Sequence, residues 1–398
     1  MSAETAARAA DVARASYGKL VAIIARRSGD IIAAEDALAD AFVKALDRWP
    51  STGIPDRPEA WLLTVARNQM TDQMRRDKRL DFTAEVPEMP DTATAEQIPD
   101  ERLKLMFVCA HPAIDPKIHA PLMLQTVLGL EAEQIARAFL VSPTAMAQRL
   151  VRAKQKIKRA RVPFVQPDSD ALPARMGAVL EAVYAAYALD WMGGSGELAH
   201  EARFLSAILA DLTPDCAEAL GLSALIGFVH ARHGARIRDG VLVPLPDQEM
   251  HLWDEALMAG AEAMLNQAAT LGRLGRFQLE AAIQSVHAAR RRGGATDWRA
   301  LSQLYVGLNS LYPTVGGRVS QAAVVGEDAG PEEGLRMLDR LSPQDAEGFQ
   351  PAWAVRAALL RRLKRHAEAN VAYTRALALT EDAPTRRWLE AQRASCTA

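Results

Sequence analysis

The sequence predicts an all-α protein, and three observations carry that expectation. Apolar residues recur at three- and four-residue spacings over residues 5–79, from about 101 to 162, and from about 173 to the end, the period of helices that bury one face. Proline-rich segments separate these stretches. Finally, the second stretch ends in FLVSPTAMAQRLVRAKQKIKRAR, residues 139–161, where seven of the last thirteen residues are Lys or Arg and none is acidic.

A chain of 398 residues exceeds one ordinary core, and about 100 to 200 residues per domain gives two to four units. A hydrophobic fraction of 49% and a charged fraction of 24% belong to a folded globular chain. The formal net charge of -2 conceals a strong pattern. Residues 81–101 carry seven acids and no base, whereas 102–161 carry 11 bases against three acids, so an acidic segment precedes a basic one. Cys109, Cys216 and Cys396 form no C-x-x-C pair, which fits a reducing compartment. Cys109 and His111 read as a buried thiol beside a helix-end histidine, because no second ligand pair follows at zinc-like spacing. No signal-peptide core and no apolar run of about 18 residues is present, so a cytoplasmic protein with no membrane partner is expected.

In AEDALADAFVKALDRWP, Leu38, Phe42, Ala45 and Trp49 form one buried stripe, and Pro50 is expected to end that helix. STGIPDRP reads as a loop. Pro58 suits the first turn of the next helix, which turns Leu62, Val65, Ala66 and Met70 inward and leaves Arg67, Asn68, Asp72, Arg75 and Arg76 on its surface or ends. The three prolines and many acids of 81–100 read as a linker. PFVQPDSDALP marks a further boundary.

The basic run is preceded by GLEAEQIARAFL, a helix expected to bury Ile135, Ala136 and Phe139. A short turn follows, Ser142 is placed to cap the next helix, and Pro143 enters its first turn. Helix, tight turn and capped helix is the helix-turn-helix arrangement. At 100° per residue, Met146, Leu150, Ala153 and Ile157 share the inner side. Thr144, Gln148, Arg152 and Gln155 lie opposite, flanked by Ala145 and Arg149. A merely solvated face would mix both signs of charge. Hydrogen-bonding residues near the N-terminus followed by cations suit a helix that reads base edges first and holds phosphates next.

The remainder reads as helices. PAWAVRAALLRRLKRHAEANVAYTRALALTEDAPTRRWLEAQR looks like a tetratricopeptide (TPR) repeat, with looser cognates at 297–313 and 331–341. DGVLVPLPDQEM, 239–250, departs from helix, with a D-G turn before a short Val/Leu alternation. His230 and His233, with Arg232 and Arg236, read as helix-surface residues, and DPKIH as a turn. No phosphate loop, H-E-x-x-H or nucleophile elbow occurs, so neither an enzyme nor a cofactor is expected.

Three motifs together resemble the extracytoplasmic-function (ECF) sigma factors of bacteria. AEDALADAFVKAL is similar to that family's A-E-D-L-V-Q-E-T-F-L-R-A-W element in region 2. RPEAWLLTVARNQMTDQMRR is close to R-P-x-A-W-L-x-x-I-A-R-N-x-x-x-D-x-x-R-R. SPTAMAQRLVRAKQKI is similar to S-x-G-T-V-K-S-R-L-x-R-A-R-x-x-L in region 4. The resemblance covers about residues 10–163. It implies a region 2 helical bundle over 1–80, an acidic linker over 81–100, a region 4 helix-turn-helix bundle over 101–165, and, as in a subgroup of the family, a TPR-like regulatory extension over 173–398. The implied partners are RNA polymerase core enzyme, promoter DNA, and a protein or small-molecule regulator of the extension.

By the same resemblance, Glu35, Asp36 and Asp40 would meet the polymerase clamp, and Arg67, Asn68, Arg75 and Arg76 the non-template strand of the -10 element. The loop 50–57 would shape a pocket for a flipped base. Arg149, Arg152 and Lys154 would grip the -35 duplex, while Thr144, Ala145 and Gln148 would read its bases. Ala39, Ala147 and Gln148 depart from the family pattern, so promoter preference does not transfer. A helix-turn-helix regulator with a TPR-like sensor is the alternative; it leaves 34–79 unexplained.

Overall fold

The computed structural model describes residues 3–80, 100–165, 167–168, 170–191 and 196–396, giving only the backbone for 3–15, 72–80 and 191. The described chain is almost wholly helical and divides into two compact units, Met1–Leu205 and Ser206–Ala398. The acidic linker lies outside the described residues up to 99.

The first unit begins with α1 (Ala3–Ser28), α2 (Ile31–Thr52) and α3 (Pro58–Leu80), which pack on one another. Their shared core is Leu20 and Ile24, then Ile31, Leu38, Ala45 and Trp49, then Leu62 and Ala66, all buried. Each large member contributes about 1.5–3 kcal/mol by leaving water. Asp30 starts α2 by accepting the Ala33 N–H at 3.2 Å. Pro50 does not end α2. A proline in the last turn removes one N–H bond, and α2 continues to Thr52 before Gly53, at φ 82°, turns the chain and donates to the Trp49 carbonyl.

There follow α4 (Glu101–Cys109), α5 (Pro116–Thr126), α6 (Ala132–Ala138) and α7 (Pro143–Arg159). Apolar residues from all four are buried together, among them Leu103, Met106 and Phe107 of α4, Leu122 and Leu124 of α5, and Ile135 of α6. DPKIH is not a free turn: Asp115 caps α5 through the Lys117 N–H, and Pro116 opens the helix. Cys109 is buried beside Thr126, and desolvation pushes its thiol up to about 12, so it stays protonated and inert. The next helix, α8 (Leu172–Trp191), packs on α5 and α4, burying Val179, Leu180 and Val183, while Arg175 donates to the Phe107 carbonyl at 3.3 Å. Asp190 accepts the Ala199 N–H at the start of α9 (Glu197–Leu212). Arg102, on α4, pairs with Asp100 and with Glu201 of α9, and lies 5.4 Å over the Phe204 ring.

The second unit is built around α10 (Ala217–His230), apolar on every side and packed against α11 (Glu255–Thr270) and α12 (Arg276–Gly293). Gly221 permits the closest approach, since a side chain there would meet the Gln278 backbone. Between α10 and α11 the two-residue strands β1 (Ile237–Arg238) and β2 (Val241–Leu242) form an antiparallel hairpin. Asp239 and Gly240 turn it with φ of 53° and 73°, the doubly left-handed turn suited to a two-residue loop. Thereafter α13 (Trp298–Leu311), α14 (Val315–Asp328), α15 (Pro331–Leu338), α16 (Pro343–Glu347), α17 (Gln350–Arg362), α18 (His366–Ala378) and α19 (Ala383–Ala394) follow through short connections, and chain neighbours pack in turn. One core joins Leu335 and Leu338 with Leu359, Ala369, Ala372, Tyr373 and Leu389.

The expectation that Arg232 sits on a helix surface is overturned: it is buried, donates to the Phe228 carbonyl at 3.1 Å and bonds Gln284. Its guanidinium lies 6.0 Å from the Trp253 ring, itself buried. Arg290 reaches the same ring and donates to the carbonyls of Leu245 and Pro246, tying down the segment after the hairpin.

Candidate nucleic-acid interface

The basic run forms α7 with one apolar and one basic face. Ser142 accepts the Ala145 N–H at 3.3 Å, and Pro143 occupies the first turn. Met146, Leu150, Ala153 and Ile157 are buried, which fixes the helix's rotation about its axis. That rotation exposes Thr144, Gln148, Arg149 and Arg152 and leaves Ala145 half-buried. The preceding α6 is closed by a capping box between Glu131 and Gln134. The turn between the helices passes through Leu140 at φ 54° and 93% exposure. Phe139, expected inward, lies at the margin with 36% of its surface exposed, because α6 ends at Ala138 and the chain turns away before a further helical position can be buried.

Lys154 stands apart from these exposed cations. It is only 7% exposed, and its ammonium donates to both carboxylate oxygens of Glu35 at 2.7 Å. One turn on, Lys158 reaches Asp30 at 2.6 Å. Burial holds the Glu35 carboxyl above the usual carboxylate range, against the pull of Lys154. Glu35 is thereby turned inward, whereas Asp36 and Asp40 are exposed on α2. Asp40 accepts from the Gln69 amide of α3, whose carbonyl accepts from Lys44 at 3.1 Å.

On α3, Arg67 and Asn68 are exposed and adjacent, while the side chains of Arg75 and Arg76 lie outside the described residues. Trp61 is half-buried with its ring edge on Trp49, 5.5 Å between centroids. The loop before α3 borders a cleft of about 350 Å³ lined by Lys19, Leu20, Asp56, Arg57, Glu59 and Leu63. Thus Arg149 and Arg152 share one exposed face with Gln148, Arg67 and Asn68 share another, and Lys154 and Glu35 are brought to each other. Nothing local in the sequence singles out Asp30 or Lys158; their partners lie more than a hundred residues away along the chain.

Comparison with known proteins gives this arrangement a context. Residues 12–80, most of α1 with α2 and α3, match sigma-70 region 2, which supports a sigma-70-type factor as the class of protein. Residues 175–269, from α8 to α11, match a family of unknown function (DUF6596). The chain belongs to the same family as the uncharacterized protein R00370 of Rhizobium meliloti (strain 1021), with 35% identity over 376 residues, 90% of this chain and 89% of the relative. It is also similar to the probable RNA polymerase sigma factor RfaY of Xanthomonas campestris pv. campestris, 26% identical over 161 residues, covering 36% of this chain and 40% of that one. No solved structure matches the chain. No described helix is long and apolar enough to cross a membrane.

Proposed function

We propose that the chain is an alternative RNA polymerase sigma factor of the ECF type, directing core enzyme to promoters through two DNA-reading elements on one polypeptide. The observation that carries this reading is the coincidence of a sigma-70 region 2 over 12–80 with the capped, basic-faced α7 downstream. In this reading α6 and α7 form a helix-turn-helix. Thr144, Ala145 and Gln148 address -35 base edges, and Arg149 and Arg152, joined by Lys154 when it is released, neutralise phosphates. Arg67, Asn68, Arg75 and Arg76 hold the melted -10 strand, and the cleft beside Arg57 takes a flipped base, since reading splayed bases needs cations along a groove and a recess. Asp36 and Asp40, with Glu35 once exposed, meet the polymerase clamp. The helices of the second unit form a TPR-like regulatory extension that answers to a protein or small molecule. No catalytic residue or cofactor is invoked.

Transcription in vitro with core polymerase on a promoter library tests the reading. Initiation that depends on this chain is the expected result. Duplex binding without polymerase binding or initiation would instead favour a helix-turn-helix regulator.

A further inference from the structure

We propose that the second unit binds a small hydroxylated oxyanion, inorganic phosphate being the simplest, beside Arg290 and the Trp253 ring and beneath the segment 236–252. This deepens the small-molecule half of the reading above, on which its regulatory meaning rests. Two guanidiniums meet at one buried indole: that of Arg232 lies 6.0 Å and that of Arg290 5.5 Å from the Trp253 ring. Arg290, only 9% exposed, is met by neutral groups. It donates to the carbonyls of Pro246 at 2.7 Å, Leu245 at 3.0 Å and Gln248 at 3.4 Å, and no carboxylate pairs with it among the described residues. A buried cation is ordinarily paired with an anion, because neutral dipoles replace only part of its hydration.

The acids of the surrounding elements face solvent or are engaged elsewhere. Asp247, Glu249 and Asp254 are exposed, Glu249 pairs with Arg238, and Asp254 caps α11. On α12, Glu280 holds Arg276, and Glu262 of α11 holds Arg292. Burial and the two guanidiniums keep the His287 imidazole down at about 4, and no acid nearby opposes them. Three buried polar atoms here lack a partner: the Arg290 Nε and Trp253 Nε1 donors and the Gln248 Oε1 acceptor. An oxyanion answers the two donors, and a hydroxyl on it, as in hydrogen phosphate, answers the acceptor. Access requires the segment above to lift. No side chain from 236 to 252 is buried, so lifting it exposes no core of its own, and phosphate oxygens replace the carbonyls that Arg290 holds.

The test is calorimetric titration of the full chain with inorganic phosphate at about pH 7, sodium chloride being exchanged to hold the ionic strength. Saturable binding at one site is expected. Trp253→Phe keeps a ring and deletes one donor, so it should weaken phosphate binding by about tenfold or more, the worth of one hydrogen bond to a charged acceptor. Gln248→Glu places a carboxylate beside Arg290 on a segment that carries no core. It should raise the melting temperature of the phosphate-free chain and abolish phosphate binding, since the anion is then supplied from within. Sulfate, fully ionised near neutral pH and without a hydroxyl, should bind about tenfold more weakly than phosphate.

No saturable binding would overturn the site. So would binding that both variants leave unchanged, which would place phosphate on exposed cations such as Arg149 and Arg152. A lower melting temperature in Gln248→Glu would overturn the claim that Arg290 lacks an anion, and sulfate binding equal to phosphate would overturn the hydroxyl requirement. Polymerase takes no part in these titrations, so their failure leaves the sigma reading standing, and loss of the sigma reading leaves the binding result intact.

Discussion

At the scale of single residues, Lys154 separates charge counting from charge availability. Helical geometry at 100° per residue assigns Met146, Leu150, Ala153 and Ile157 to the inner side, and all four are buried. Lys154 is one step from Ala153, so it falls at the edge of that side. A second helix arriving there decides whether it meets water or Glu35. Arg152 is exposed and donates to the Gln148 carbonyl of its own helix, with no acidic partner among the described residues. Replacing Arg152 with Ala should weaken binding to a -35 duplex and reduce the slope of log affinity against log salt by about 0.9, measured by a salt titration; an unchanged slope would sink the phosphate role. His287 makes a different prediction. Burial, with Arg232 and Arg290 nearby, holds its imidazole down at about 4. The neutral form is the one the fold accepts, so stability present above the ordinary 6.5 is lost as pH falls towards 4. At about 1.4 kcal/mol per pH unit the loss approaches roughly 3 kcal/mol. His287→Leu should flatten that acid limb in urea unfolding.

At the scale of elements, caps and turns decide boundaries that periodicity leaves open. Ser142 starts α7 as its side chain predicts, and Ser142→Ala should cost about 1 kcal/mol in thermal or urea unfolding, with a matching loss of duplex affinity if the helix start frays. Pro50 shows the opposite, since a proline in the final turn removes one hydrogen bond and no more, and Gly53 ends α2 instead. The D-G turn of the hairpin is legible because a two-residue loop requires two left-handed residues. Its partner is not, because Arg387 of α19, 147 residues on, donates to the Gly240 carbonyl. Gly240→Ala would place a methyl against that guanidinium at φ 73°, and should destabilise the second unit by roughly 1–2 kcal/mol or more. An unchanged melting temperature would show the hairpin to be dispensable.

At the scale of the whole molecule, the helix after the PFVQPDSDALP break proves to belong with what precedes it. α8 is packed on α5 and α4 within the first unit, so a chain cut after residue 172 loses the cover of α5, whereas one cut after 212 keeps it. Burial of Val179, Leu180 and Val183 at about 1.5–3 kcal/mol each predicts that urea unfolding of the shorter fragment gives an unfolding free energy lower by more than about 3 kcal/mol. The longer fragment is the proper one for asking whether the remainder regulates transcription; unchanged activity and unchanged signal response would deny it that role. The sequence alone determined the helical class, the amphipathic faces, the cap of α7, the hairpin turn and the one-signed charge of the basic run, because each depends on neighbours within about one turn or one loop. Which cations remain free, where Arg232 lies, and which helices share a core were decided only by the tertiary structure. Those outcomes depend on groups a hundred residues away, such as Glu35 beneath Lys154, whose approach is set by the close fit of α1 at Gly18 to the end of α5 and leaves no mark in either local stretch.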